Sequence, residues 1–347
     1  MLVFLFMNNY SSFLKNFSGF FFKEQLKHLI LHITNFCNFR CAHCFVDFET
    51  KKRDLKIEHY EKLSNKFKDL FWLDVGGGEP FLRKDLYKIV NLFKKQVVAI
   101  PTNGFLTDNI LEQVKKIDTS NCELTINFSL DGLKDTHNMI RKNQQSWDKV
   151  WSTFEEIKKL DKAKLRVITV INNKNFDEII PLMKEVQEKG IDFHSVMLLR
   201  GETLDDDVNL PDTNKLKVLA KEMFEILGKY NYGVGGNSAR ILRNYHRYLW
   251  KTSIRIIEEK KQVIPCYAGR SNMVVWGDGA VSSCEMLPAV GNINEKSIDQ
   301  ILESESLKKQ KESIKNKECH CTHNCAMLTS IMYNPKKWGN LIYQKKP

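Results

Sequence analysis

The chain has 347 residues, of which 42% are hydrophobic and 27% are charged. This composition, with only 17 glycines and 8 prolines, excludes disordered and collagen-like proteins and predicts one large domain accompanied by a smaller one. The net charge of +11 comes from scattered lysine pairs such as Lys94-Lys95, a pattern that does not favour a nucleic-acid groove with a continuous basic stripe.

Short β-rich runs alternate with longer segments of helical periodicity from residue 29 onward. Such alternation is typical of βα units that build a parallel sheet. Six strands are predicted, at residues 29–34, 71–75, 97–102, 123–130, 165–171 and 193–199. Helices are predicted between them at 57–70, 84–95, 109–116, 146–160 and 177–189. Six repeats predict an α/β fold with a partial (β/α)6 TIM-like barrel at 29–205, instead of a closed barrel of eight units.

The carboxyl ends of the predicted strands collect most of the polar and glycine-rich sequence. The segments that follow the six strands are 37–44, 76–80, 102–104, 129–132, 172–173 and 200–201. In parallel α/β folds the chemistry gathers at this edge of the sheet. Each segment alone is also compatible with a simple turn, because Gly, Asn and Asp tolerate tight backbone conformations.

Three thiols stand within eight residues in the segment Cys37-Asn38-Phe39-Arg40-Cys41-Ala42-His43-Cys44. So short a loop leaves no room for regular structure between the thiols, and all three could bind one soft centre such as zinc or an iron–sulfur cluster. Three protein ligands would leave one coordination position for another molecule. Two alternatives stay open: a zinc site completed by His43 or His32, and reduced cysteines that cluster in the core.

The last third of the chain changes character. Residues 206–262 predict a helical connector, and residues 263–347 predict a small C-terminal domain with a hairpin that turns at 277–279. This domain carries the cysteines Cys266, Cys284, Cys319, Cys321 and Cys325. Nine cysteines in the whole chain are too few for a disulfide scaffold, and their close spacing favours reduced metal ligands. A structural zinc site that uses His320 or His323 is the alternative.

Residues 1–28 are predicted to form an N-terminal extension. The apolar start at 1–7 lacks the basic residues and the small-residue cleavage site of a signal peptide, and it is too short to span a membrane. Phe20, Phe21 and Phe22 predict a packing or partner-binding segment.

The CxxxCxxC loop, followed by a Gly-Gly-Glu turn, resembles the radical S-adenosylmethionine (SAM) superfamily. The resemblance implies that Cys37, Cys41 and Cys44 bind a [4Fe–4S] cluster whose open iron is chelated by SAM. It also implies SAM contacts for Gly77, Gly78, Glu79, Asn103, Ser129, Asp131, Arg141 and Asn172. For Asn103 and Asn172, the alternative to a SAM contact is that the side chain caps a turn. For Arg141 or Arg200, the alternative is a salt bridge. Members of the superfamily often have an aromatic residue directly before the third cysteine, where this chain has His43.

The C-terminal cysteines resemble the SPASM/twitch extension found in a large subgroup of that superfamily. The resemblance is carried by Cys266, by the Gly279-x4-Cys284 spacing and by the CxCxxxC pattern at 319–325. A full SPASM domain has about seven cysteines for two clusters, so five cysteines imply one auxiliary [4Fe–4S] cluster. The favoured ligands are Cys266, Cys284, Cys321 and Cys325, with Cys319 as a fifth candidate.

The resemblance implies an enzyme that reductively cleaves SAM and uses the 5′-deoxyadenosyl radical to abstract hydrogen from a substrate. Relatives in the subgroup imply a peptide or protein substrate, and a flavodoxin or ferredoxin as electron donor. The alternatives are a radical SAM enzyme that acts on a carbohydrate, a small metabolite or RNA, and a non-catalytic iron–sulfur or zinc-binding protein. We expect a cytoplasmic protein without a nucleic-acid partner or a membrane span.

Overall fold

One nine-stranded sheet runs through the whole protein in the computed structural model, which describes residue 20 and residues 25–46, 53–234 and 236–342. The strand order is β6-β5-β4-β3-β2-β1-β7-β8-β9. The strands are β1 His28–Thr34, β2 Leu70–Gly77, β3 Lys95–Thr102, β4 Glu123–Ser129, β5 Lys164–Ile171, β6 Phe193–Leu198, β7 Asn272–Val275, β8 Ala280–Ser282 and β9 Gly291–Asn292. All pairs from β6 to β7 are parallel, and the sheet stays open between β6 and β9. The predicted partial barrel is confirmed.

Helices follow the barrel strands in the expected alternation. They are α1 Ile57–Lys66, α2 Leu86–Leu92, α3 Thr107–Lys116, α4 Lys134–Arg141, α5 Ser146–Lys158, α6 Ile179–Glu188, α7 Thr213–Leu227, α8 Gly236–Glu259, α9 Ile298–Leu302, α10 Glu305–Lys315, α11 Asn324–Met332 and α12 Trp338–Ile342. The helix at residues 134–141 was not predicted. None of the helices within the described residues combines the length and the apolar character needed to cross a bilayer.

The two faces of the sheet differ in polarity because side chains alternate along each strand. In β5, Leu165 and Val167 are buried in the main core between sheet and helices. Their neighbours Lys164 and Arg166 face the barrel interior and remain partly exposed. The barrel interior is therefore a partly polar cavity instead of a packed apolar core.

The C-terminal part extends the barrel sheet directly. Residues of β7 pair in parallel with β1, with Leu29 opposite Met273 and Leu31 opposite Val275. The predicted hairpin is present as β7 and β8, and its turn contains Gly279 at φ +89°, a left-handed conformation that glycine adopts without strain. The pairing of this hairpin with the barrel was not predicted.

Aromatic residues close the barrel beside β2 and β3. Phe20 is fully buried, and its ring stacks on Tyr333 with 4.2 Å between ring centroids. Both rings pack against Trp72 of β2. Phe20 thus belongs to a packing segment, whereas the predictions for residues 1–7 and for Phe21 and Phe22 lie outside the described residues.

Candidate metal centre and binding cavity

The cysteine loop follows β1 and is anchored on both sides. The N–H of Ala42 donates to the Ile140 carbonyl of α4 at 2.8 Å, and the Ala42 carbonyl accepts from the N–H of Asp205 at 2.9 Å. This anchoring aims Cys37, Cys41 and Cys44 at one cavity, which opens to solvent at the carboxyl ends of the barrel strands. Burial raises the pKa of Cys37 to about 12 and raises the pKa of the other two thiols. A metal centre would reverse that effect, because its positive charge stabilises thiolates.

The spacing of these thiols fits a cluster better than a single ion. Around one tetrahedral zinc ion, thiolate sulfurs lie about 3.8 Å apart. In the described part of the chain, only one group of three Cys, His, Asp or Glu side chains has all its ligand atoms within 4.8 Å of one another. This group is His28, Asp74 and Cys325. At least two of the loop thiols are therefore more than 4.8 Å apart, a spacing that an iron–sulfur cube accommodates.

The Gly-Gly-Glu turn packs against the backbone of the cysteine loop. A Cβ on Gly77 would lie 2.1 Å from the Thr34 carbonyl oxygen, and one on Gly78 would lie 2.2 Å from the Phe36 carbonyl oxygen. Gly77 also has a φ of +127°. The two glycines are thus required by the close approach of two backbone segments, and they line the cavity.

Glu79 is buried at the wall of the same cavity. Its carboxylate accepts hydrogen bonds from Thr102 Oγ1 at 2.9 Å, from the Asn103 N–H at 2.8 Å and from the Phe81 N–H at 3.3 Å. Burial outweighs these bonds and raises the pKa of Glu79 to about 7. Asn103 Nδ2 in turn donates to Asn38 Oδ1 at 2.8 Å, which ties the end of β3 to the cysteine loop.

Arg141 connects the cysteine loop to Asp131. Its Nη1 lies 3.6 Å from Cys41 Sγ, and its Nη2 lies 2.5 Å from Asp131 Oδ2. Burial disfavours the charged form of Asp131, but the charge of Arg141, the nearby His43 and the hydrogen bond from the Val170 N–H together outweigh burial and lower the pKa of that carboxyl. His43 Nε2 is 3.7 Å from the same carboxylate. Among the described residues, Arg141 and His43 line the cavity and Asp131 contacts both of them, while a direct SAM contact of Asp131 stays a prediction.

Ser129 and Asn172 have different surroundings. Ser129 lines the cavity, and its contact with SAM stays a prediction. Asn172 is fully buried, donates from Nδ2 to the Val170 carbonyl at 3.1 Å and accepts at Oδ1 from the Lys174 N–H at 2.8 Å. Asn172 therefore caps the turn after β5, which is the alternative that the sequence left open.

The C-terminal cysteines divide into two groups. Cys266, Cys284, Cys319 and Cys321 face one another, with Cys284 hydrogen-bonded to Cys321 and with Cys266 and Cys319 in the same small core. Cys325 lies apart from them, with Sγ 3.6 Å from Asp74 Oδ2 on β2. The geometry favours Cys319 over Cys325 as the fourth ligand, in contrast to the set favoured from the sequence.

Glu285 has a buried side chain and was not singled out from the sequence. Its Oε1 is 2.7 Å from His32 Nε2, and its Oε2 is 3.0 Å from Arg200 Nη2 and 2.5 Å from His323 Nε2. Burial opposes its charge, but the histidines outweigh burial and hold the pKa of Glu285 well below its usual range. Arg200 thus forms the salt bridge named as its alternative, and Glu285 lines the cavity beside it.

Comparison with protein families gives two matches to separate parts of the chain. The model described as Radical SAM superfamily matches residues 31–185. The SPASM model, described as an iron-sulfur cluster-binding domain, matches residues 266–326. The first match contains Cys37, Cys41 and Cys44, which line one cavity. The second match contains the five C-terminal cysteines.

Comparison with curated proteins gives relatives of moderate similarity. GTP 3′,8-cyclase of Campylobacter jejuni is 29% identical over 209 residues, which cover 54% of this chain and 64% of the relative. This chain therefore matches less than two thirds of that relative's length. An uncharacterized protein of Methanocaldococcus jannaschii is 25% identical over 291 residues, which cover 79% of this chain and 91% of the relative.

Solved structures share the fold at low sequence identity. SuiB of Streptococcus suis bound to its precursor peptide SuiA has a TM-score of 0.61 at 16% identity, covering 82% of this chain and 66% of SuiB. The protein anSMEcpe, with bound AdoMet and the Kp18Cys peptide, has a TM-score of 0.61 at 18% identity, covering 92% of this chain and 88% of that protein.

Proposed function

We propose, from the premise that this chain belongs to the radical SAM superfamily and carries a SPASM iron–sulfur cluster-binding domain, that it modifies a peptide or protein substrate. The chain is an enzyme whose cofactors are SAM and [4Fe–4S] clusters. The observation that carries the proposal is the convergence of Cys37, Cys41 and Cys44 on a cavity that also contains the Gly-Gly-Glu turn.

Two sets of thiols would hold the clusters. In the barrel at 29–205, Cys37, Cys41 and Cys44 supply three ligands and leave the fourth position to SAM. In the C-terminal domain at 263–347, the auxiliary cluster has four thiol ligands, Cys266, Cys284, Cys319 and Cys321. When bound, the first cluster and SAM supply reductive cleavage of SAM and a 5′-deoxyadenosyl radical that abstracts hydrogen, with an electron from a flavodoxin or ferredoxin.

The chain's own residues bind and orient SAM in this proposal. The Glu79 carboxylate faces the SAM ammonium, and Gly77 lets the backbone approach it. Arg141, held by Asp131, offers its guanidinium to the SAM carboxylate and keeps a positive charge beside Cys41. Bound SAM and substrate would fill the cavity and displace water from it, which protects a reactive radical from side reactions.

A peptide substrate is supported by the shared fold. Both SuiB and anSMEcpe were solved with peptides, and each alignment covers more than four fifths of this chain. A second candidate is a small metabolite such as a nucleotide. It is supported by the curated GTP 3′,8-cyclase relatives and by a second cavity inside the barrel that is lined by charged side chains.

Anaerobic reconstitution tests the proposal. We expect about eight iron atoms per chain and release of 5′-deoxyadenosine when SAM and a reductant are added. Binding of zinc in place of iron, or iron without formation of 5′-deoxyadenosine, would contradict the enzymatic function. The Cys41→Ala variant should lose SAM cleavage while keeping about four iron atoms in the auxiliary site. A peptide encoded by a neighbouring gene is the first substrate to test.

A further inference from the structure

A second cavity lies deeper in the barrel than the cysteine cavity, towards the amino-terminal ends of the strands. The two cavities are adjacent, because they share wall residues, among them Asp74, Asn127 and Met197. The deeper part is lined by alternate residues of β4, β5 and β6 and is covered by α8. A molecule bound there would approach the proposed SAM site from the amino-terminal ends of the strands.

Arg166 of β5 is a charged side chain in this deeper cavity that forms only a long ion pair, with Glu123. Its Nη2 is 3.9 Å from Glu123 Oε1, which is too far for a hydrogen bond. Glu123 is instead bound by Lys164 Nζ at 2.7 Å. No residue in the described segments accepts a hydrogen bond from the Arg166 guanidinium. Burial lowers the pKa of Arg166 by more than the nearby carboxylates of Glu123, Asp192 and Asp74 raise it, so a bound anion would further stabilise its charge.

Tyr232 places a second unused donor in the same cavity. Its Oη is buried and has no hydrogen-bond partner among the described residues. The ring packs against Phe193, with centroids 4.4 Å apart, and against His246, whose ring is nearly parallel to it at 5.7 Å. Its backbone has a φ of +56°, which is rare for a residue other than glycine and is typical of functional sites.

We propose that Arg166 and the Tyr232 hydroxyl bind an anionic group of the substrate, a carboxylate or a phosphate, and that the aromatic walls hold an attached flat or apolar body. The walls include the rings of Trp72, Phe193 and Tyr245. This inference rests on the proposed radical SAM function and narrows its substrate class. A peptide would supply the anion as its C-terminal or side-chain carboxylate, and a nucleotide would supply it as phosphate.

Two matched pairs of probes test the inference on the reconstituted holoprotein with SAM. The carboxylate pair is N-acetylphenylalanine and its amide, and the phosphate pair is guanosine 5′-monophosphate and guanosine. Binding is followed by calorimetry. We expect the charged member of one pair to bind at least about tenfold more tightly than its neutral partner. The pair that shows the preference identifies the source of the anion.

Variants test whether the preference for the charged probe arises in the deeper cavity. Arg166→Gln should bind both members of the pair equally weakly, Arg166→Lys should restore part of the preference, and Tyr232→Phe should weaken only the charged member. Arg255→Gln removes a guanidinium that is 60% exposed on α8 and should retain the full preference. Iron content and circular dichroism equal to the parent protein establish that each variant is folded and loaded.

Equal binding of charged and neutral probes by the parent protein, binding of no probe, or a preference that survives Arg166→Gln would each overturn the inference. Formation of 5′-deoxyadenosine by the parent protein is measured in the same preparation. If it is present while the anion preference is absent, the inference fails and the radical SAM function stands.

Discussion

Glu285 Oε1 lies 2.7 Å from His32 Nε2, and this contact joins the C-terminal domain to the first strand of the barrel. Both side chains are buried. The other oxygen of Glu285 contacts Arg200 from the end of β6 and His323 from the segment before α11. One carboxylate therefore holds three parts of the chain together at the wall of the cysteine cavity.

Removing this carboxylate should destabilise the protein. In Glu285→Ala, Arg200 would stay largely buried without its counter-charge, and we expect the free energy of unfolding to fall by about 3 kcal/mol. Urea unfolding followed by circular dichroism measures it. The control Glu305→Ala removes an exposed carboxylate on α10 and should leave the unfolding midpoint unchanged. Equal midpoints for the two variants would show that the buried contacts do not contribute.

The division of the C-terminal cysteines predicts different iron contents for two serine variants. Cys319→Ser should lose the auxiliary cluster and keep about four iron atoms, because Cys319 lies with Cys266 and Cys321. Cys325→Ser should keep about eight, because Cys325 contacts Asp74 instead. Iron analysis and electron paramagnetic resonance of the reduced proteins distinguish them. The reverse result would restore the ligand set favoured from the sequence.

The glycine turn offers a matched pair of alanine substitutions. Gly78→Ala would push a Cβ to 2.2 Å from the Phe36 carbonyl oxygen, and we expect a loss of about 1–3 kcal/mol in stability. Gly76→Ala would place its Cβ 3.5 Å from Pro101 Cγ, an ordinary contact, and should change stability by less than about 0.5 kcal/mol. Thermal unfolding of the two variants provides the comparison. A stable Gly78→Ala protein would mean that the cysteine loop can move away from β2.

A buried neutral histidine makes stability depend on pH. His137 Nδ1 accepts from the Asp131 N–H at 3.1 Å, and His137 Nε2 is 2.8 Å from Ser146 Oγ. Burial lowers the pKa of His137 to about 3. Between pH 6.5 and 3 the unfolded chain therefore binds a proton that the folded chain does not, so stability is complete above this range and falls as the pH decreases.

His137→Gln should make that pH dependence shallower. An amide can accept and donate at the same two positions without titrating. Going from pH 7 to pH 5, the variant should lose about 2 kcal/mol less stability than the parent protein. Urea unfolding at the two pH values measures the difference. Equal losses in both proteins would show that His137 takes up its proton without unfolding.

The positions of the barrel strands were accessible from the sequence because strand and helix periodicities are local. All six predicted strands agree with the structure to within two residues at either end, and the cysteine loop and Gly77 lie together where parallel strands end. The pairing of β7 with β1 was not accessible, since it joins segments more than two hundred residues apart and leaves no local pattern.

Individual site residues were harder to assign because a residue type does not reveal its neighbours. Asp131 follows a strand and could contact a ligand, yet the structure pairs it with Arg141. Cys325 fits the spacing of a cluster motif, but the first turn of α11 directs it to Asp74. One signal for Arg166 was present, since Lys164 and Arg166 alternate with apolar residues in a strand whose other face is buried.

The parallel pairing of β7 with β1 also bears on whether the barrel is an autonomous unit. A protein truncated before β7 would expose the backbone edge of a strand that contains Leu29, Leu31 and Ile33. Such an edge is a template for pairing with another chain, so the shortened barrel would tend to aggregate. Although the two family models match separate segments, those segments share one hydrogen-bonded sheet and should fold and unfold as a single cooperative unit.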